Sequence, residues 1–170
     1  HHLGDYTAVA RKYFEEYEHK EEELGNLCLS MDEAFRRYGR SGHNNVIKAV
    51  GWSLDNPRLP RHYIDYPIAV SDLNEAANHM DTYFSTKVEI RDMVLDCVRG
   101  LDFLHVGARI MHFDIKGANI LFFNEGGRKV CKISDMGICG HMEPLLPGHI
   151  LDFEPGFGTC GFNAPEVFNI

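Results

Sequence analysis

The residues best suited to chemistry lie in three short tracts of the C-terminal half of the chain. The first runs His112-Phe113-Asp114-Ile115-Lys116-Gly117-Ala118-Asn119, the second is Asp135-Met136-Gly137, and the third is Ala164-Pro165-Glu166. Together they supply a carboxylate for a hydroxyl proton, an amide and a second carboxylate for magnesium, and a loop that can seat an acceptor. Carboxylate and amide oxygens are hard ligands, which suit a small cation that dehydrates reluctantly. These residue types point to phosphoryl transfer.

The order and spacing of the tracts resemble those of the eukaryotic protein kinases, with Val9-Ala10-Arg11-Lys12 as a further match near the N-terminus. The resemblance implies that Asp114 is the base for the substrate hydroxyl and that Asn119 and Asp135 hold Mg²⁺. It also implies that Lys116 lies near the transferred phosphate, as the matching lysine does in serine/threonine kinases. The expected acceptor is therefore Ser or Thr.

The segment ahead of Ala164-Pro165-Glu166 is unusual for this family. No Ser, Thr or Tyr occurs between Gly137 and Gly158, and Phe113 stands where many kinases carry an arginine that pairs with an activation-loop phosphate. Without that cation a phosphate has little to order, so we expect no regulation by activation-loop phosphorylation. By its place in the family pattern, Thr159 positions the substrate and the catalytic aspartate.

The phosphates of ATP need a lysine, and the resemblance assigns that role to Lys12. The family lysine pairs with a glutamate from the next helix, which the pattern places within residues 20 to 38, and Glu33 is the predicted partner. Glu21, Glu22 and Glu23 are expected to form a solvated first turn. The predicted apolar stripe of this helix consists of Leu24, Leu27, Cys28, Met31, Phe35 and Tyr38.

Two further strands are predicted at Val46 to Val50 and Tyr63 to Tyr66, separated by the inserted turn Asp55-Asn56-Pro57. Asp72-Leu73 resembles the start of a helix. Ser85 or Thr86 can cap a longer one, whose stripe is Ile90, Val94, Cys97, Val98, Leu101 and Leu104.

A hairpin is predicted from Ile120 to Phe123 and Lys129 to Ile133, because the glycines of Asn124-Glu125-Gly126-Gly127 accept positive φ. Asn119 and Asp135 would then lie together at its two ends.

The adenine site follows from the family alignment of the second strand. Ile64 would guard the back of the pocket, Asp65 would offer its carbonyl to the adenine amino group, and Tyr66-Pro67 would form the connector. Leu121 would lie under the adenine. Because proline has no N–H, one adenine hydrogen bond would be missing at Pro67, which weakens binding by about 0.5–1.5 kcal/mol.

Two departures concern the ends of the pattern. Only Gly4 precedes Lys12, so no glycine-rich loop is recognisable, and the sequence runs four residues past Glu166. We expect a two-lobed α+β kinase-like fold, truncated at both ends, with a small, mostly antiparallel β lobe carrying one helix and the first part of a mainly helical lobe. Residues 1–66 would form the partial small lobe and 67–170 the partial large lobe. The missing helices would leave the inner face of the helix from Val94 to Leu104 exposed.

Composition fits one domain of 170 residues, with 44% hydrophobic and 25% charged residues. A net charge of −8 disfavours nucleic acid and anionic membranes as partners. No apolar run reaches membrane-spanning length. The five cysteines are odd in number and lack metal-pair spacing, which favours a reduced, cytoplasmic location over a disulfide framework.

The resulting hypothesis is a serine/threonine protein kinase that uses ATP and Mg²⁺ on protein substrates. One alternative is a pseudokinase scaffold, favoured by the missing glycine-rich loop and by Phe113, and replacement of Asp114 would distinguish the two. A second alternative is a small-molecule phosphotransferase of kinase-like fold, which Gly158-Thr159 and Ala164-Pro165-Glu166 disfavour. The kinase subgroup and the oligomeric state stay open.

Overall fold

The computed structural model describes residues 8–14, 20–40, 42–53, 62–79, 83–84, 86–141 and 158–163. The predicted turn at 55–57, Ser85 and the tract from Ala164 to Glu166 lie outside these residues. Within them the fold is α+β, with an antiparallel sheet and one long helix followed by a part that combines helices with a second sheet. This arrangement confirms the predicted fold class.

The first sheet consists of β1 (Ala10–Phe14), β2 (Gly51–Ser53) and β3 (His62–Tyr66), in the order β1-β3-β2. Both pairings are antiparallel, and Lys12 lies opposite Ile64. The strand predicted at Val46 to Val50 is wrong. Those residues form only an isolated bridge at Val46 before β2 begins, and their apolar run reflects burial in the core instead.

Helix α1 (Lys20–Tyr38) has the predicted bounds but not the predicted inner face. Phe35 and Tyr38 are 65% and 48% exposed, so the end of the predicted apolar stripe faces outward. Polar residues share the buried face with Leu27, because this face meets the polar site described below. The buried residues of the helix are Glu23, Asn26, Leu27, Ser30, Glu33 and Ala34.

The second part begins with the two-residue strand β4 and holds the hairpin β6–β7. Its elements in chain order are β4 (Ser71–Asp72), α2 (Leu73–Asn78), α3 (Lys87–Asp102), a π-helical segment (Phe103–Ala108), β5 (Ile110–Met111), a 3₁₀ turn (Gly117–Asn119), β6 (Ile120–Glu125), β7 (Arg128–Ile133) and β8 (Gly140–His141). Strands β4, β6 and β7 form one antiparallel sheet, and β5 pairs with β8.

The hairpin β6–β7 forms as predicted, with Glu125 opposite Arg128 and Ile120 opposite Ile133. Gly126 and Gly127 connect the strands with φ of 58° and 80°. Positive φ at both central residues is the requirement of a tight two-residue hairpin turn, which explains why both are glycine. The hairpin therefore fixes the register that sets its two ends side by side.

Helix α3 is capped by Thr86, whose hydroxyl and backbone N–H exchange hydrogen bonds with Glu89 in a capping box. Val94 and Val98 of the predicted stripe are 49% and 55% exposed, whereas Leu104 is fully buried. The helix packs instead through its buried Asp96 and Gly100.

One core connects the two parts of the chain. Leu27 of α1, Ile64 of β3 and Phe103 of the π-helical segment belong to the same buried cluster as Ile133 and Met136. Because the two ends of the hairpin and the inner face of α1 share this cluster, the polar groups at their edges are held in fixed relation. No helix within the described ranges is long and apolar enough to cross a membrane.

Candidate active site

The carboxylate of Asp114 is the centre of the site. Its Oδ1 accepts a hydrogen bond of 2.6 Å from the hydroxyl of Thr159, and its Oδ2 accepts one of 2.7 Å from Lys116 Nζ. Lys116 Nζ also donates to Thr159 Oγ1 at 2.7 Å. The three residues assigned to catalysis by their sequence motifs thus form a closed triangle of polar contacts.

Ionised Asp114 is favoured in this setting. Burial opposes its negative charge, but the hydrogen bonds from Lys116 and Thr159, together with the charge of Lys116, outweigh burial and hold its pKa below the usual value. Asn119 adds a third donor, since its Nδ2 lies 3.1 Å from Asp114 Oδ2. At neutral pH the site therefore presents a carboxylate that can act as a hydrogen-bond acceptor.

His112 connects the loop that carries Asp114 to the residue that follows β7. Its side chain is 1% exposed, with Nε2 2.8 Å from the carbonyl oxygen of Ser134, and its Nδ1 accepts the backbone N–H of Asp114 at 3.3 Å. Burial lowers the pKa of His112, which favours the neutral ring that this pair of contacts requires. Phe113, between them, has φ of 62°, a left-handed conformation that turns the loop sharply.

Asn119 and Asp135 lie at the two ends of the hairpin. The backbone N–H of Ser134 donates to the carbonyl oxygen of Asn119 at 2.9 Å, which sets Asp135 next to the 3₁₀ turn. Asp135 has φ of 65°, and its carboxylate lies 3.2 Å from Lys12 Nζ. Left-handed backbone at a non-glycine residue is uncommon and concentrates at functional sites.

These two side chains suit a divalent cation by their chemistry. The Nδ2 of Asn119 is engaged with both the carbonyl and the carboxylate of Asp114, which leaves its amide oxygen as the free ligand atom. The side chain of Asp135 is 43% exposed and offers carboxylate oxygens. No group of three or more His, Cys, Asp or Glu that could hold a metal occurs among the described residues, so a cation here would need ligands from a nucleotide or water as well.

Lys12 pairs with Glu23, and the prediction that Glu33 is its partner is wrong. Lys12 Nζ lies 2.6 Å from Glu23 Oε2, and Glu23 is buried. Glu33 forms ion pairs with Arg36 and Arg37 on the same helix. It lies ten residues further along α1, about 15 Å at the rise of an α-helix, so it cannot reach Lys12.

Glu23 was also expected to be part of a solvated first turn. The sequence does contain a signal for its burial, because Glu23, Leu27, Ser30 and Ala34 recur at the spacing of one helix face. Burial lowers the pKa of Lys12, but Glu23 and Asp135 outweigh it and hold the pKa above the usual value. Lys12 therefore stays charged between two carboxylates.

A cavity of about 410 Å³ opens beside this ion pair. Lys12, Tyr66 and Leu121 line it, together with Asp135, as assigned from the sequence. The remaining lining residues are Ala10, Arg11, Glu23, Ile47, Pro67, Ala69 and Ser134.

Ile64 and Asp65 do not line the cavity. Ile64 is fully buried in the core. The carbonyl oxygen of Asp65, predicted to accept from adenine, instead accepts the backbone N–H of Val50 at 2.8 Å, and its carboxylate accepts two hydrogen bonds of 2.6 and 2.8 Å from Arg11. Tyr66, two residues after Ile64, lines the cavity, and its hydroxyl donates to Glu23 Oε1. Pro67 and Ala69 line the cavity beyond Tyr66.

Comparison with known proteins places these features in a family. The model of the protein kinase domain family matches residues 1–169. The chain is 32% identical over 170 residues to a PR5-like receptor kinase of Arabidopsis thaliana, covering 95% of this chain and 22% of that protein. It is 28% identical over 144 residues to mitogen-activated protein kinase kinase kinase A of Dictyostelium discoideum, covering 85% and 14% of the two chains.

Among solved structures, the fold resembles a chain of the yeast RNA polymerase II CTD kinase CTDK-1 complex. The TM-score is 0.70 at 22% identity, over 94% of this chain and 46% of that one. The chain spans a quarter or less of the length of the curated relatives it matches. The triangle around Asp114, the Lys12–Glu23 ion pair beside the cavity and the matched family model lead to one conclusion: the chain belongs to the protein kinase domain family.

Proposed function

We propose that the protein containing this chain transfers the γ-phosphoryl group of ATP to serine or threonine hydroxyls of protein substrates. The observation that carries the proposal is the position of the Thr159 hydroxyl between Asp114 and Lys116. A hydroxyl held there has a carboxylate to accept its proton and an ammonium group beside the oxygen that becomes charged. An acceptor hydroxyl that reaches Asp114 meets the same pair of groups.

The cavity beside Lys12 is the proposed nucleotide site. Lys12, held by Glu23, would face the phosphates, while Leu121, Pro67 and Ala69 offer apolar contact for the base. Ala69 carries a backbone N–H, unlike Pro67, and would offer the adenine the donor that Pro67 lacks. Ile64 and Asp65 would support this site without lining it. Ile64 packs in the core, and Asp65 holds Arg11, which does line the cavity.

Asn119 and Asp135 would hold Mg²⁺, which neutralises charge on the phosphates. The residues of the chain then have separate tasks: Asp114 receives the proton, Lys116 stabilises the moving phosphoryl group, and Lys12 orients the nucleotide. A cytoplasmic location of this segment is part of the proposal, and the odd number and the spacing of the five cysteines support it.

The test is transfer of labelled phosphate from magnesium ATP to a generic protein substrate such as casein, using the longest reading frame that contains this chain. Asp114→Asn should reduce transfer by about 10²–10⁴-fold, because it removes the base. The matched control is Asp92→Asn, a carboxamide exchange on the outside of α3. Equal transfer by wild type and Asp114→Asn, or phosphate found on tyrosine alone, would contradict the proposal.

A further inference from the structure

A second cavity, of about 640 Å³, adjoins the proposed nucleotide site, and Pro67 is the one described residue that lines both. It is bounded by the segment after β3, by the loop between α1 and β2, and by the hairpin β6–β7. Its size is within the range of ligand sites and exceeds that of the cavity beside Lys12. None of the residues assigned to catalysis, metal or phosphate contact lines it.

The polar wall of this groove is cationic. Arg40, Lys48 and Lys132 line it, with Glu125 as its one carboxylate among the described residues. Lys132 is already paired with Glu125 at 3.1 Å. Arg40 and Lys48 form no ion pair with a carboxylate in the described part of the chain, and Arg40 lies 5.3 Å from the centre of the Tyr38 ring.

The pKa of His43, which also lines the groove, is lowered by burial and in part by these positive charges. Burial, followed by the charges of Arg40 and Lys132, lowers the pKa of His43 to about 4. The chain as a whole is negative, with a net charge of −8, whereas the lining of this groove is positively charged. A negatively charged ligand would be attracted to it.

The groove also has an apolar, partly exposed lining. Ile68 and Val70 are 55% and 57% exposed and line it together with Val46 and Phe123. Ile68 and Val70 are two residues apart, and their branched side chains offer an apolar surface to a bound chain. Free nucleotides and nucleic acid would make little use of it, whereas a peptide with apolar side chains would bury it.

We propose that this groove is a docking site for an extended peptide segment of a partner protein that carries both acidic and apolar side chains. The acidic side chains would pair with Arg40 and Lys48, and the apolar side chains would cover Ile68 and Val70. The inference is independent of phosphoryl transfer, because it concerns binding at a surface that the catalytic residues do not form.

The test is fluorescence anisotropy with the full chain and a labelled peptide that carries two glutamates followed by two leucines between glycine-serine flanks. Arg40→Glu combined with Lys48→Glu should weaken binding by about tenfold or more, since it replaces attraction with repulsion. The pair Arg40→Gln and Lys48→Gln provides the milder change if the first variant fails to fold. Lys87→Glu with Arg91→Glu makes the same change of net charge on the exposed face of α3 and should bind as wild type does.

Two peptide controls distinguish the charged from the apolar contribution to binding. Lysine in place of glutamate should abolish binding, and serine in place of leucine should weaken it. Asp114→Asn should bind as wild type does, which separates this site from the catalytic one. The proposal is overturned if wild type does not bind the acidic peptide, or if Arg40→Glu with Lys48→Glu binds it as tightly as Lys87→Glu with Arg91→Glu. It is also overturned if Arg40 and Lys48 instead support self-association in sedimentation.

Discussion

The hydroxyl of Tyr66 donates a hydrogen bond of 2.5 Å to Glu23 Oε1, while the other oxygen of that carboxylate accepts from Lys12. Glu23 is 2% exposed, so these two donors compensate a charge that water barely reaches. Burial and the charge of Glu23 raise the pKa of Tyr66 far above its usual value, which keeps its proton in place as a donor. Tyr66 therefore fixes the position of the group that fixes Lys12.

Removal of this hydroxyl should destabilise the fold. Tyr66→Phe leaves one oxygen of buried Glu23 without its donor, and we expect a loss of about 1.5–3 kcal/mol in the free energy of unfolding. Urea denaturation measures it. Tyr63→Phe in the same strand is the control, because the Tyr63 ring packs against Tyr13 and Arg11 without contributing to this ion pair. Equal stability of Tyr66→Phe and wild type would argue against the hydrogen bond.

The two glutamates of α1 should differ sharply in their effect on phosphoryl transfer. Glu23→Gln removes the charge that holds Lys12, and we expect kcat/KM for ATP to fall by about 10–100-fold. Glu33→Gln changes only an ion pair with Arg36 and Arg37 and should stay within about twofold of wild type. Steady-state kinetics of the longest reading frame decide between them, and a reversed order of effects would restore Glu33 as the partner.

The acidity of Asp114 should depend on Lys116. The folded-state pKa lies below the ordinary 3.8, so ionised Asp114 stabilises the fold above that pH, and this contribution disappears as the pH falls through the folded-state value. Lys116→Met removes the principal stabilising contact and should raise the pKa. Carboxyl ¹³C NMR titration measures it, with the resonance assigned from Asp114→Asn.

Lys87→Met on the surface of α3 serves as the control for that titration. If the Asp114 midpoint is the same in Lys116→Met and wild type, Lys116 does not set the charge of the base.

Acidification should destabilise the fold through His43. Its pKa is lowered from 6.5 to about 4 in the folded state, mainly by burial, so the unfolded chain binds the proton more tightly. The contribution to stability is complete above pH 6.5 and decreases as the pH falls towards 4. His43→Phe keeps the ring that stacks on Phe103 at 4.5 Å and should reduce this dependence. Thermal denaturation between pH 7 and 4.5 tests it, with exposed His79→Gln expected to retain the wild-type slope.

Two glycines in helices should respond oppositely to alanine. A Cβ at Gly100 would lie 2.5 Å from the carbonyl oxygen of Asn45, so Gly100→Ala should cost about 1–3 kcal/mol. Gly25 in α1 has nothing within 4 Å of such an atom, and Gly25→Ala should stabilise the protein by up to about 1 kcal/mol. Urea denaturation compares the two. Similar effects at both positions would mean that α3 and the loop at Asn45 are not in close contact.

Local patterns in the sequence were sufficient for several parts of the fold. The paired glycines fix the hairpin turn, and Thr86 with Glu89 marks the start of α3. The bounds of α1 were also predictable. These features depend on residues close in the sequence, whose conformational preferences act without the rest of the chain.

The errors arose where distant segments meet. The sequence predicts Glu33 as the partner because Glu33 lies ten residues before His43 in the family pattern, and because Glu23 is expected to lie in a solvated first turn. The structure instead buries Glu23 on the face of α1 that contacts the polar site. The placement of Tyr66 beside Glu23 depends on how β3 pairs with β1, because this pairing fixes the side chains that reach Glu23. The pattern of apolar residues within β3 does not determine its register against β1.

The contacts of the site also differ in how far apart they lie along the chain. Asn119 bonds Asp114 across 5 residues and Ser134 across 15, both within or beside one hairpin. Lys12 reaches Asp135 across 123 residues. Contacts between residues close in the sequence form quickly and at a low entropic cost, whereas contacts between distant residues form more slowly and cost more entropy. In folding, the base and the proposed magnesium ligands should therefore be assembled first, and the arrival of Lys12 should be the step that makes the site complete.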